Sequence, residues 1–338
     1  MALSACPGRA TERSYVRGLT LLPGLIEAHA HLCFNANADW RAAYDADTPA
    51  RDDGPMAGNA RRMLDAGITT VRPRCADRLL GGSARCRRRR PSRPSLLVAG
   101  APITTTGGHC YFMGGEVMAC WACRWRSANC ARASTGSQYL AGNMIAGLER
   151  VRRAVRRGAG GGRTRGAPPQ RRVAAHRHGW RGIRAAVDAG VDVLEHCSFQ
   201  TPEGSSHDRA VIEAIADRAL SRPHSSGTLR TRGSERFDRR AALMRAARRR
   251  IKVESWLGHR LRHPRVPHDA LWEGLEALRL CLGLPPVEVL RLATSSASGV
   301  YRTLRRGALV AGRRADPRGG GRGPAQVTSP RSLRRPAW

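Results

Sequence analysis

The chain has 338 residues, with 59 Lys+Arg against 26 Asp+Glu for a formal net charge of +33, and 41% hydrophobic residues of which few are aromatic. That length can bury a large core as one or two domains, and the want of any apolar run near about 18 residues excludes a membrane span. Composition also excludes collagen, coiled coil and a small disulfide-stapled module, which leaves a globular enzyme or a nucleic-acid binder.

Residues 1–18 contain no continuous apolar segment of the signal-peptide kind. The 10 cysteines are irregularly spaced and read as reduced thiols, so a cytoplasmic protein is expected. Leu21–His31 (LLPGLIEAHAH) is an apolar strand ending in His-x-His. Met56–Ala66 reads as a helix stopped by Gly67, followed by a strand over Ile68–Val71. Val173–His176 is a short strand, Gly179–Gly190 a helix with Ile183, Ala186 and Val187 on one face, and Val191–His196 a second strand. Strand, helix and strand in so few residues make a βαβ unit and imply a parallel sheet. His268–Leu282 and Pro286–Ser298 read as consecutive helices, the second opened by Pro-Pro. The positive charge gathers in blocks at 72–96, 148–172, 228–265 and 302–335; Lys252 is the one lysine, and arginine supplies the rest.

Alternate residues of a strand share a side, so His29 and His31 project together and can share one metal ion. Imidazole suits zinc, iron, nickel or copper. Taken alone the pair reads equally as two histidines near a turn. His176 and His196 sit at the ends of two further strands, where either alone reads as a hydrogen-bonded core histidine. In a parallel α/β barrel such strand ends converge on the active face.

The phrases LLPGLIEAHAHL (21–32), MLDAGITTVR (63–72), GAPITTTGGHCYFMGGE (100–116), VAAHRHGWRGIRAAVDAGVDVLEHCSF (173–199) and GLPPVEVLRLATSSASGVY (283–301), with GALVAGRRAD (307–316), resemble the amidohydrolase superfamily in its imidazolonepropionase-like and Xaa-Pro dipeptidase-like branch. The resemblance covers somewhat over half the chain. It implies an α/β fold: a (β/α)8 TIM-type barrel over 21–301 with a small, truncated β-sandwich built from 1–20 and 302–338. It further implies that His29, His31, His176 and His196 bind one or two divalent metal ions, zinc above all. His109 would face the substrate as a catalytic residue, and His178 is the less favoured ligand, exchangeable with His176 by a strand slip. The implied activity is hydrolysis of an amide C–N bond by metal-bound hydroxide. The implied substrates are small: an N-acyl amino acid, a dipeptide or a cyclic amide. No membrane partner is expected, and the oligomeric state is open.

Two parts of the family pattern are missing. The resemblance implies a metal-bridging lysine at the fourth strand end, where Ser127–Arg132 has none, and a ligand and proton-accepting aspartate in a Gly-Thr-Asp phrase, where Gly258–Pro264 reads GHRLRHP. That segment can be encoded GGG CAC CGA CTC CGG CAT CCC. One base later, with the C of the next codon, the same bases read Gly-Thr-Asp-Ser-Gly-Ile-Pro. Residues 317–324 can hide Val-Val-Asp-Gly-Asp-Pro in the same way. The basic blocks thus read as frame-shifted stretches of a GC-rich gene. A degenerate, inactive member of the family is therefore an alternative reading.

A basic nucleic-acid-binding protein is the other. A +33 chain adheres to polyanions at low salt, and Arg85–Arg93 is the obvious patch, but no aromatics are interleaved with the arginines. Cys120-x-x-Cys123 with Cys130 and Cys110 lacks a second pair at zinc-module spacing. There is no G-x-S-x-G elbow, and the glycines at 158–162 lack the Lys-Ser/Thr of a phosphate loop.

Overall fold

Apolar strands buried on both faces set the architecture. A computed structural model describes residues 20–47, 53–73, 93–98, 101–116, 138–140, 173–201 apart from 190, 204–205, 209–218, 220–223, 233–248, 267–300, 306–314 apart from 312, 318–320 and 333–334. In chain order the strands are β1 (Thr20–Leu22), β2 (Leu25–Ala30), β3 (Ile68–Pro73), β4 (Ser95–Leu96), β5 (Gln138–Leu140), β6 (Val173–Gly179), β7 (Val193–Thr201), β8 (Gly204–Ser205), β9 (Leu220–Pro223), β10 (Arg318–Gly320) and β11 (Leu333–Arg334). The helices are α1 (Trp40–Ala46), α2 (Asp53–Asp65), α3 (Trp180–Asp188), α4 (Arg209–Arg218), α5 (Glu235–Arg248), α6 (Leu271–Leu282), α7 (Pro286–Leu292) and α8 (Ser295–Val300).

Among the described residues β2, β3 and β4 form one parallel sheet. A second has β5, β6, β7 and β9 parallel, with β8 antiparallel at the end of β7. Every residue of β2 and β3 is buried, as parallel sheets covered on both faces require. Helices α2, α3 and α4 each connect two parallel strands, which makes the fold α/β. On α2, Met56, Ala60, Met63 and Leu64 face inward at helical spacing. The turn after α2 is closed by Gly67 at φ 88°, from which the carbonyl accepts the Leu25 N–H at 3.0 Å. A separate antiparallel sheet pairs the two chain ends in the order β1-β10-β11.

The βαβ unit lies where the sequence places it, with strands that run further: β6 extends to Gly179 and β7 to Thr201. The single helix expected over 286–298 is two. Ala293 gives its carbonyl to the Ile26 N–H of β2 at 2.8 Å, and the N–H groups of Ala293 and Thr294 reach back only three residues. The Thr294 hydroxyl also donates to the Leu290 carbonyl at 2.7 Å. With its carbonyl spent on the strand, the helix cannot continue through Ala293. No helix of the described residues is long and apolar enough to cross a membrane.

Candidate metal centre

His29 lies in β2, His31 immediately follows it, His176 and His178 lie in β6, and His196 lies in β7. His29 and His31 end β2, whereas His176 and His196, expected at strand ends, are each the fourth residue of longer strands, because β6 and β7 run on to Gly179 and Thr201. His29, His31, His176 and His196 are buried and His178 half-buried. The Nε2 atoms of His29 and His31 are 3.4 Å apart. That is long for an N–H···N hydrogen bond. It matches the spacing of about 3.3 Å that two imidazoles on one tetrahedral zinc would have at Zn–N distances of about 2.0–2.1 Å.

The other histidines form a second knot. His196 Nε2 is 2.8 Å from His176 Nδ1, a hydrogen-bond distance, so one of the two nitrogens carries a proton. His178 stacks on His196 with ring centroids 4.6 Å apart and planes at 10°. Ligand atoms of His176, His178 and His196 all lie within 4.8 Å of one another. His29 and His196, with centroids 5.6 Å apart, join the two groups. A convergent set of buried imidazoles could hold a metal ion.

Backbone geometry explains why adjacent residues Glu195 and His196 both reach His29. His196 has φ 79°, Cys197 φ 41° and Phe199 φ 49°. Left-handed residues interrupt the two-residue alternation of a strand, and at a buried non-glycine they cost about 1–3 kcal/mol that the surroundings must offset. Glu195 Oε2 lies 2.9 Å from His29 Nδ1, and its other oxygen is 3.5 Å from the Arg72 guanidinium. Alternation applied to LEHC puts Glu195 opposite His196, so the sequence reading passes it over. Arg72, on β3, is among the largest fully buried side chains.

Further contacts hold the strand ends. A register shift follows Glu27 in the β2–β3 ladder, and the Glu27 carboxylate there accepts the His29 N–H at 2.8 Å. The Asn59 amide of α2 donates to the Leu32 and Phe34 carbonyls at 2.9 and 3.0 Å, tying down the chain beyond His31. Burial pushes His268 below the ordinary histidine value, and its Nε2–H donates to the His31 carbonyl at 3.1 Å.

His109 is half-buried on the loop after β4, its ring centroid 4.2 Å from that of His176. The loop folds on itself: Thr104 N–H donates to the Gly115 carbonyl at 3.0 Å, and Gly107 N–H to Glu116 at 2.7 Å. A Cβ on Gly115 would collide with the Pro102 carbonyl oxygen. Gly115→Ala is therefore expected to displace His109 from its place against His176, which a shift of the His109 and His176 ring-proton resonances would show.

Several features read from the sequence lie outside the described residues: Ser127–Arg132, Lys252, Gly258–Pro264, the glycines at 158–162, and Cys120, Cys123 and Cys130. Cys110 is described and buried, with φ 62°.

No family model matches the chain, and no curated protein matches it. Solved structures do. A. niger ochratoxinase is similar with a TM-score of 0.71 at 18% identity, covering 93% of this chain and 80% of that one. A Xaa-Pro dipeptidase with methionine bound in its active site has a TM-score of 0.72 at 17% identity, covering 94% and 85%. A structure described as an amidohydrolase has a TM-score of 0.70 at 18% identity, covering 97% and 87%. At these identities the likeness is one of fold.

Proposed function

We propose that this chain is a metal-dependent hydrolase of amide C–N bonds. Its substrates would be small N-acyl amino acids, dipeptides or cyclic amides, and its centre would be held by His29, His31, His176 and His196 with His178 beside them. The observation that carries the reading is the meeting of buried imidazoles from the end of β2 and from within β6 and β7, with His29 and His31 at the 3.4 Å spacing of co-ligands. In a closed (β/α)8 barrel, the arrangement favoured for β2–β9, the C-terminal face of the strands carries the chemistry. The likeness to the ochratoxinase and dipeptidase folds supports the substrate class, and the β1-β10-β11 sheet supports a small β unit built from both chain ends.

When bound, a divalent metal supplies polarisation of the amide carbonyl and acidification of a water. The chain's own residues do the rest. His29, His31, His176 and His196 would hold the ion, with His178 within reach of the last two. His109, at the half-buried margin, orients the substrate amide. Glu27 is occupied by the His29 N–H, and Glu195 lies against His29 and Arg72. Neither is placed to accept the proton of water, and turnover is accordingly slow by the factor of about 10²–10⁴ that a positioned base contributes.

The test is hydrolysis of a panel of N-acetyl amino acids and Xaa-Pro dipeptides before and after chelation. Activity should disappear with a chelator and return with one or two equivalents of zinc. Hydrolysis that survives complete metal removal would sink the proposal.

A further inference from the structure

Glu195 and Arg72 form a buried charge pair with no direct place among the ligand histidines. Both side chains are about 1% exposed, so neither charge has water to lean on. A guanidinium is always protonated, and burying it without a counter-charge is unfavourable. Glu195 pairs with it at 3.5 Å, and the same carboxylate lies 2.9 Å from His29 Nδ1. The opposite ring nitrogen of His29 faces His31 Nε2. His29 thus has a carboxylate at one nitrogen and the proposed ion position at the other.

We infer that Glu195, paired with Arg72, is a positioning residue that fixes His29 as its Nδ1–H tautomer and so presents the Nε2 lone pair for metal binding. The inference rests on the metal-centre reading above. An imidazole ligates only through an unprotonated nitrogen. In solution a neutral histidine populates both tautomers, and a carboxylate at Nδ1 removes the wrong one. The His29 ring is turned off the line of the contact, so the pair has ion-pair distance without full hydrogen-bond alignment. The left-handed turn at His196 is what brings Glu195 to this place beside a neighbour that reaches the same histidine. The strain there therefore serves two side chains at once.

Tautomers are read by long-range proton–nitrogen correlation spectra of histidine-labelled protein, with His29 assigned by its loss in His29→Gln. In metal-free wild type, His29 should show the Nδ1–H form alone. Glu195→Ala would take this carboxylate from the buried Arg72, so the informative variant is Arg72→Leu/Glu195→Leu, which removes both charges at similar volume. There the Nε2–H form should appear, and zinc affinity by chelator competition should fall about 10–100-fold. If that variant does not fold, the isosteric Glu195→Gln gives the same reading more weakly, with Nε2–H as a minor form. A His29 that is Nε2–H in wild type, or Nδ1–H alone in a folded variant, overturns the inference. Because the spectra are taken without metal, a wild-type chain that binds no zinc overturns the metal reading separately.

Discussion

Replacing His196 by alanine is expected to weaken zinc binding by more than the roughly 10–100-fold that loss of an outer partner costs. The reason is its position. His196 touches His176 at 2.8 Å, stacks on His178 and approaches His29, so it is the ring through which the two histidine groups meet. Truncation removes a ligand, frees the His176 nitrogen it engaged and opens a gap between β6 and β7. Chelator competition with zinc, or the visible spectrum of the cobalt form, measures the loss. His109→Ala is the matched control: affinity within about threefold of wild type, with the defect confined to turnover. The backbone adds a second contrast. At φ 79° only glycine is unstrained, so His196→Gly should melt above His196→Ala although both lose the ligand. Equal zinc affinity in wild type and His196→Ala would remove this residue from the site.

Much of this arrangement is legible in the residues, and what is not has identifiable causes. The histidines at 29, 31, 176 and 196 stand out because each ends a run of apolar residues, and strand ends in a parallel fold face a common side. The βαβ unit is legible for the same reason: Ile183, Ala186 and Val187 fix the helix face, and all are buried. Glu195, Arg72 and the full part of His178 are not. Glu195 is hidden because alternation fails at His196, and nothing in LEHC signals a left-handed residue. Arg72 opens what looks like a basic block, where a solvated arginine is the ordinary expectation, yet it is fully buried. His178 shares a strand face with His176, so spacing alone cannot rank them; only the approach of β7 brings both to His196. The split between α7 and α8 is invisible locally because its cause is a carbonyl taken by Ile26, far away in sequence.

Rewriting Gly258–Pro264 to the shifted-frame phrase should have the largest effect of all on catalysis. The changes are His259→Thr, Arg260→Asp, Leu261→Ser, Arg262→Gly and His263→Ile, and the expected result is a rise in kcat/KM of about 10²–10⁴-fold. The family resemblance implies an aspartate here that both ligates metal and takes the proton from water, and the described carboxylates do not fill that role. The chain just beyond the phrase returns to the centre: His268 is buried and bonds the His31 carbonyl at 3.1 Å. A carboxylate delivered beside neutral imidazoles would also tighten zinc, by offsetting charge that an all-histidine site leaves uncompensated. The gain should therefore appear in kcat more than in KM, accompanied by a new acidic limb in the pH profile as the aspartate loses its ability to accept a proton. A version carrying Arg260→Asn in place of Arg260→Asp separates the roles. It keeps the loop chemistry and lacks the base, so it should retain the fold and lose nearly all of the gain. If the aspartate and asparagine versions turn over equally, or neither exceeds the parent chain, the missing base is not what this segment lost.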